Sequence, residues 1–173
     1  SGLDTISAGA TVAFAIEYYE KEIVTNEDTH VLELTWGNSE AIYEVIKQMI
    51  AREGIGDVLA DGTKMAAEKI GKGSEQYAIH SFGQEVAMHN PRVFPSLAFS
   101  YAYDPTPGRH TTASIDFSNL MGTLPDYMEG VDLPQDWDED DVARAKMQVY
   151  TTSLHQFVRS LGLCLFSTYF KAY

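Results

Sequence analysis

The chain has 173 residues, of which 45% are hydrophobic and 21% are charged, as expected of a globular protein with a real core. Twelve basic against 25 acidic residues give a net charge of −13, which argues against nucleic-acid and membrane partners. The longest apolar stretch, residues 11–16, is far shorter than the roughly 18 residues of a spanning helix. A single cysteine excludes an internal disulfide framework, and we expect a cytoplasmic protein.

The pattern of the first part of the chain predicts helices. A nearly continuous apolar run behind a cap at Thr5 or Ser7 predicts a central helix that ends near Ile23. After a polar loop, the segment "HVLELTW" (30–36) is the best candidate for a strand. Strand patterns are poor elsewhere.

Two further helices are expected next. Asn38 or Ser39 precedes a one-sided apolar stripe typical of an amphipathic helix, which Gly54 and Gly56 end. The following helix is predicted over residues 57–70. Gly62 within it would cost about 1 kcal/mol relative to alanine, and a close backbone approach would explain a glycine there.

The second half of the chain is less regular. Residues 96–103 are apolar and aromatic, and residues 104–112 hold two prolines and a glycine that forbid a regular element. The last helix carries apolar residues that are expected to face inward: Val142, Ala145, Val149, Tyr150, Leu154, Phe157, Val158 and Leu161. The chain is therefore predicted to be all-α, an irregular multihelical domain with little or no strand.

The only cysteine, Cys164, follows a glycine at the end of this last helix. An apolar setting such as "LGLCLF" more often holds a small buried hydrophobe than a reactive group. A cysteine protease would need a local signature that the sequence lacks, and a zinc site would need a second cysteine. The residues alone leave three roles open: core filler, nucleophile, or one ligand of a metal site completed elsewhere.

Two other side chains are candidates for function. His110 follows the rigid turn, and loop histidines held in this way are often functional, although a surface turn histidine fits the pattern equally well. Glu85 lies among apolar residues, which suggests a buried pair with Arg92. The alternative is a surface salt bridge, which would contribute little.

Six segments, spread over nearly the whole chain, resemble one known family. They are "GLDTISAG" (2–9), "WGN" (36–38), "REGIGDVLADGTKMAAEKIGKGSEQYAIH" (52–80), "GQEVAMHNPR" (83–92), "DPTPGRHT" (104–111) and "LGLC" (161–164). In this order they resemble the aldehyde ferredoxin oxidoreductase family, the tungsten or molybdenum bis-pterin enzymes. The block at 52–80 is the most specific of them.

The resemblance implies that residues 1–173 are the helical middle domain of a larger enzyme, without its N-terminal β-rich domain and its C-terminal remainder. The intact enzyme would oxidise a small aldehyde to its carboxylate with water, and a [4Fe–4S] cluster would pass the electrons to ferredoxin. The chain alone is expected to bind neither cofactor and to be inactive. A homo-oligomer is compatible with the resemblance.

The resemblance also assigns residues to the pterin. Gly2, Leu3 and Asp4 resemble the end of the family's first pterin-binding motif, whose leading aspartate would precede Ser1. Gly162 and Leu163 resemble the end of the second motif. All five are therefore expected to bind the cofactor.

The resemblance also implies roles for Cys164 and His110, and Arg159 differs from the family pattern. Cys164 matches the fourth thiolate ligand of the cluster, whose other three ligands come from an upstream cysteine run. His110 matches a histidine near the metal that gives a hydrogen bond or a proton to the substrate oxygen. Arg159 stands where the second motif begins with aspartate, and an arginine cannot accept hydrogen bonds from a pterin.

Two alternatives remain at this stage. Arg159 and the missing upstream half also fit a non-catalytic helical module that mediates assembly. A free-standing thiol enzyme that uses Cys164 and His110 would be alkylated rapidly at neutral pH.

Overall fold

The structure is a computed structural model that describes residues 2–29, 32–106, 108–111 and 141–164. The all-α prediction is confirmed, since helices dominate these residues and their only sheet is a hairpin of two-residue strands. The chain divides into two compact units, residues 1–88 and residues 89–173. Of the helices in the described ranges, none combines the length and the apolarity needed to cross a bilayer.

The first unit starts with helices and ends with the hairpin. Its elements are α1 (Thr5–Glu20), α2 (Ser39–Ala51), α3 (Gly54–Leu59), α4 (Thr63–Ile70), a 3-10 turn (Ser74–Tyr77), β1 (His80–Ser81) and β2 (Gln84–Glu85). The strands are antiparallel, with His80 opposite Glu85. The strand prediction for 30–36 is wrong where it can be compared, because residues 32–36 contain no strand, while residues 30 and 31 lie outside the described ranges.

Helix α1 is central to this unit, as its apolar run predicts. Asp4, rather than Thr5 or Ser7, caps it, and Asp4 Oδ1 accepts a hydrogen bond from the N–H of Ser7 at 2.8 Å. The helix ends before the predicted Ile23 because Glu22 adopts a left-handed conformation with φ of 56°. Its buried side chains form one core with those of α2, α3 and α4, which includes Phe14, Ile16, Tyr18, Val45, Met49 and Leu59.

Helix α2 starts at Ser39, as predicted. The Asn38 side chain caps it by accepting a hydrogen bond from the N–H of Ala41 at 3.2 Å. The helix predicted over 57–70 is instead two helices, α3 and α4. Gly62 separates them, with φ of 87° and ψ of 168°, a backbone region that only glycine adopts readily.

The second unit contains α5 (Pro95–Tyr103) and α6 (Asp141–Ser160). The inward face predicted for α6 is largely wrong, since Val142, Val149 and Phe157 are each more than 60% exposed. Leu161, just after the helix, is also exposed, as are Ala145 and Tyr150. Of the predicted residues Val158 is buried, and it shares a mixed buried face with Met147, Gln148, Thr151 and His155.

Hydrogen bonds explain why α6 buries polar residues. Gln148 Nε2 donates to Ser100 Oγ of α5 at 2.9 Å. Thr151 Oγ1 donates to the carbonyl of Met147 at 2.8 Å, which satisfies the hydroxyl within the helix itself. A hydrogen bond offsets much of the cost of burying a polar group, although Gln148 Oε1 is buried without a hydrogen-bond partner among the described residues. The hydrophobic stripe alone therefore does not decide which face is covered.

Candidate functional site

A pocket of about 290 Å³ lies at the start of α1. Gly2, Leu3 and Asp4, the three residues matched to the first pterin motif, line it together with Gly62 and Glu85. The Ser7 backbone N–H holds the pKa of Asp4 below its ordinary value. The pocket therefore offers the ionised carboxylate of Asp4 beside glycine backbone.

Glu85 forms the best-defined wall of this pocket. It is 5% exposed, and its Oε1 accepts a hydrogen bond from the N–H of Thr63 at 2.6 Å. Thr63 is the first residue of α4, whose N-cap Gly62 has no side chain of its own to do this. The sequence suggested a pair with Arg92, but the carboxylate binds the N-terminus of a helix, where a negative charge is favourable.

The same wall is tied to α1 by two further polar contacts. The hydroxyls of Thr11 and Thr63 lie 3.2 Å apart in a buried position. Gln84 Nε2 donates to Ser7 Oγ at 2.9 Å. These contacts hold the hairpin, α4 and the capped start of α1 around one pocket.

A third carboxylate at this pocket, Asp61, is paired with two basic side chains. Hydrogen bonds from Arg52 and Lys69 lower the pKa of Asp61 to about 2. Asp61 is exposed, so these pairs contribute little to stability. Its partners leave Asp4 and Glu85 as the acceptors that face the pocket.

In the second unit, His110 stacks on another histidine. The ring centroids of His89 and His110 are 4.8 Å apart, with an angle of 33° between the planes. Phe94 lies edge-on to His89 at 6.0 Å, and the Tyr101 hydroxyl donates to the His89 carbonyl at 3.2 Å. His89 was not singled out from the sequence, because stacking over 21 positions leaves no local pattern.

This environment favours the neutral imidazole of His110. Burial lowers the pKa of His110 below its ordinary value. Three ionisable neighbours act in the same direction: His89, Arg109 and Arg159. At neutral pH the ring therefore carries one proton and one acceptor nitrogen.

Arg159, in the last turn of α6, reaches the segment that carries His110. Its NH2 group donates to the carbonyl oxygen of Thr111 at 2.5 Å and to Thr111 Oγ1 at 2.6 Å. Burial lowers the pKa of Arg159; Arg109 acts in the same direction and Asp104 in the opposite one. The guanidinium nevertheless stays protonated at any pH the protein meets.

Cys164 lies just beyond the end of α6 and is exposed, so its interpretation as a small buried hydrophobe is wrong. The N–H of Gly162 donates to the Arg159 carbonyl and the N–H of Leu163 to the Val158 carbonyl. With φ of 73° at Gly162, these bonds form a Schellman motif that ends the helix. Cys164 follows Gly162 of this motif by two residues and is exposed.

The predicted site residues thus fall in both units. Gly2, Leu3 and Asp4, which resemble the end of a pterin motif, share the pocket of the first unit, whereas His110, Gly162, Leu163 and Cys164 belong to the second. Across the described ranges, no group of three or more His, Cys, Asp or Glu side chains is arranged to hold a metal ion. Cys164 therefore does not form a metal site with its described neighbours.

Comparison with known proteins gives a consistent result. Residues 1–173 match the family model described as aldehyde ferredoxin oxidoreductase, domains 2 and 3. The tungsten-containing aldehyde ferredoxin oxidoreductase of Pyrococcus furiosus is 32% identical over 169 residues, which cover 97% of this chain and 26% of that protein. The chain therefore spans about a quarter of the length of the curated relatives it matches.

Two other similar proteins have different names. The WOR-like subunit of aliphatic sulfonate oxidoreductase, also from Pyrococcus furiosus, is 38% identical over 130 residues, which cover 71% of this chain and 21% of that subunit. Among solved structures, the active-site complex BamBC of benzoyl coenzyme A reductase, with 1,5-dienoyl-CoA, has a TM-score of 0.62 at 24% identity. The match covers 94% of this chain and 28% of the BamBC chain, and it shows the fold alone.

Proposed function

We propose that this chain is the helical middle part of an enzyme that oxidises aldehydes to carboxylates, because the chain belongs to the aldehyde ferredoxin oxidoreductase family. The enzyme would use a tungsten or molybdenum bis-pterin and pass electrons through a [4Fe–4S] cluster to ferredoxin. One observation carries the proposal: the family match extends over all 173 residues. The substrate class and the electron acceptor come from the names of the relatives, so both are part of the proposal.

The residues of the first-unit pocket fit a pterin. A pterin presents several N–H donors, and Asp4 and Glu85 present carboxylate acceptors at the pocket wall. Gly2, beside which a Cβ would meet nothing within 4 Å, allows a planar ring to approach the backbone closely. When bound, the cofactor supplies the metal that takes up two electrons from the substrate; the role of these residues is to bind and orient it.

His110 would act on the substrate oxygen. A neutral imidazole can donate one hydrogen bond to an aldehyde or carboxylate oxygen, and it can hold or release a proton there. The lowered pKa of His110 supports this role, because a permanently charged ring could not also accept a proton. The stack on His89 orients the ring.

Cys164 would supply one thiolate to the cluster. A [4Fe–4S] cluster takes four cysteine ligands, and this chain has one cysteine. The proposal therefore assigns the other three to residues outside these 173. The exposure of Cys164 after the Schellman turn supports a ligand shared with another part of the protein.

A second candidate function is a non-catalytic assembly module derived from the same family. The observation in its favour is Arg159, which stands where the family motif has a pterin-binding aspartate and instead binds Thr111. Such a module would retain the helical fold without the cofactor chemistry.

Metal analysis combined with turnover distinguishes the two. The full-length protein, purified anaerobically, is analysed for tungsten, molybdenum and iron, and its aldehyde-dependent reduction of a viologen dye is measured. The enzyme proposal predicts tungsten or molybdenum, iron, and dye reduction that is lost in His110→Asn. A protein without these metals and without turnover would support the assembly module instead.

A further inference from the structure

The hydrogen bonds of Arg159 indicate a role for this residue other than pterin binding. We propose that Arg159 is a positioning residue that holds the imidazole of His110 in place. Its NH2 group donates to both the carbonyl oxygen and the hydroxyl of Thr111, at 2.5 and 2.6 Å. Thr111 directly follows His110, so these bonds fix the backbone from which the imidazole projects. The inference rests on the proposed function, because it concerns how a catalytic His110 is held.

The contact joins two parts of the second unit that are distant in sequence. Arg159 and Thr111 are 48 positions apart, one at the end of α6 and the other after a proline-rich turn. One donor group, the NH2 of Arg159, binds both the carbonyl oxygen and the hydroxyl of Thr111. Arg159 and Thr111 are each only partly exposed. Charge-assisted bonds in such a place are stronger than neutral ones, so the segment around His110 is held by the end of α6.

The same guanidinium also acts on His110 through its charge. The ionisable groups around the imidazole are His89 on one face, Arg109 beside it, and Arg159. Asp104 is the acidic neighbour of Arg159, and it is buried, with Oδ1 bound to the N–H of Thr106 at 2.7 Å. The positive neighbours discourage protonation of His110, so Arg159 positions the ring and helps to keep it neutral.

One measurement reports both effects. Deuterium exchange at the imidazole C2 carbon, followed by mass spectrometry of the full-length protein across pH, gives each histidine a titration midpoint and a limiting rate. The midpoint reports the pKa of His110, and the limiting rate reports the access of solvent to its ring. His80, in the first unit, serves as an internal control for folding.

Three variants separate the bonds from the charge. Arg159→Met keeps an unbranched side chain but removes both the hydrogen bonds and the charge. It should increase the limiting exchange rate of His110 about tenfold, the factor expected for a lost charge-assisted hydrogen bond. It should also raise the titration midpoint of His110. Arg159→Lys keeps the charge, so its midpoint should stay low while the limiting rate is partly restored. Thr111→Val removes only the hydroxyl acceptor and should increase the limiting rate by a smaller factor without moving the midpoint.

The inference is overturned if Arg159→Met leaves both the limiting rate and the midpoint of His110 at their wild-type values. If His80 also changes in that variant, the protein is misfolded, and Thr111→Val then decides: an unchanged limiting rate for His110 contradicts the positioning role. His110→Asn tests the proposed function separately. Turnover that survives His110→Asn removes the catalytic role while an effect of Arg159→Met on ring exposure still supports the contact.

Discussion

The carboxylate of Glu85 lies so close to Gly62 that no larger residue fits there without displacing it. A Cβ at position 62 would be 2.7 Å from Glu85 Oε1. The same oxygen accepts the hydrogen bond from Thr63 at 2.6 Å, across 22 positions of sequence. Glu85 therefore caps α4 from the hairpin, and Gly62 leaves room for it, so that helix, hairpin and pocket wall form one unit.

Alanine at position 62 should be more destabilising than alanine at a comparable glycine. Gly71 also has a positive φ, 63°, but a Cβ there meets nothing within 4 Å, so Gly71→Ala should cost only the backbone strain, about 1–3 kcal/mol. Gly62→Ala should cost about 1–3 kcal/mol more, because Glu85 must give up its bond to Thr63. Chemical unfolding of both variants measures the difference in the free energy of unfolding.

A third variant completes this comparison. In a Glu85→Ala background Oε1 of residue 85 is absent, so the losses of stability caused by Gly62→Ala and Gly71→Ala should differ much less. Equal losses of stability for the two glycine variants in the wild-type background would show that the close approach of Glu85 has no energetic consequence.

Local patterns were enough to predict the helices but not all of their boundaries or faces. The cap at Asn38 follows from one side chain and its nearest backbone donors, and the structure confirms it. The break at Gly62 depends on Glu85, which the sequence places in another element. On α6, Gln148 is buried because Ser100 of α5 accepts its hydrogen bond, and no period within the helix encodes that partner.

The candidate site shows the same limit. The apolar neighbours of Cys164 suggest burial, but Cys164 is exposed after the Schellman turn at Gly162. The contact between Arg159 and Thr111 could not be anticipated, since the nearest acceptor of a long side chain is decided by tertiary structure. The family resemblance points to individual residues, whereas the structure shows which of them lie together.

The turn at Gly162 should be sensitive to substitution in a specific way. Gly162→Ala should cost about 1 kcal/mol, because an L-residue is disfavoured at a φ of 73°. Gly162→Asn should cost less, since asparagine tolerates this region. Amide hydrogen exchange at residues 162 and 163, whose N–H groups close the motif, measures the effect; equal protection in both variants and the wild type would contradict the assignment.

Replacement of the stacked histidine should raise the pKa of His110. His89→Phe keeps an aromatic ring against His110 but removes an ionisable neighbour that lowers the pKa of His110. Imidazole C2 exchange across pH should then give a higher midpoint for His110. A midpoint that stays the same or falls would show that His89 acts only through packing.

The lowered pKa of His110 also fixes the sign of its contribution to stability. Below the unfolded value, about 6.5, the unfolded chain binds a proton more readily than the folded one, so the free energy of unfolding falls as pH decreases. The loss continues until the pH reaches the folded pKa of His110. In His89→Phe the pH range over which His110 lowers the stability should narrow. Comparison of the free energy of unfolding at pH 5 and pH 7 in the variant and the wild type measures this.

We propose that Cys164, which is exposed, is one of the ligands of an iron–sulfur cluster shared with the rest of the full-length protein. Iron content and the electron paramagnetic resonance spectrum of the reduced full-length protein test it directly, with Cys164→Ala beside the wild type and Ser160→Ala as a control on the same helix end. We predict a cluster signal and matching iron in the wild type and in Ser160→Ala, and loss or marked depletion of both in Cys164→Ala. Undiminished iron and an unaltered signal in Cys164→Ala would contradict the account.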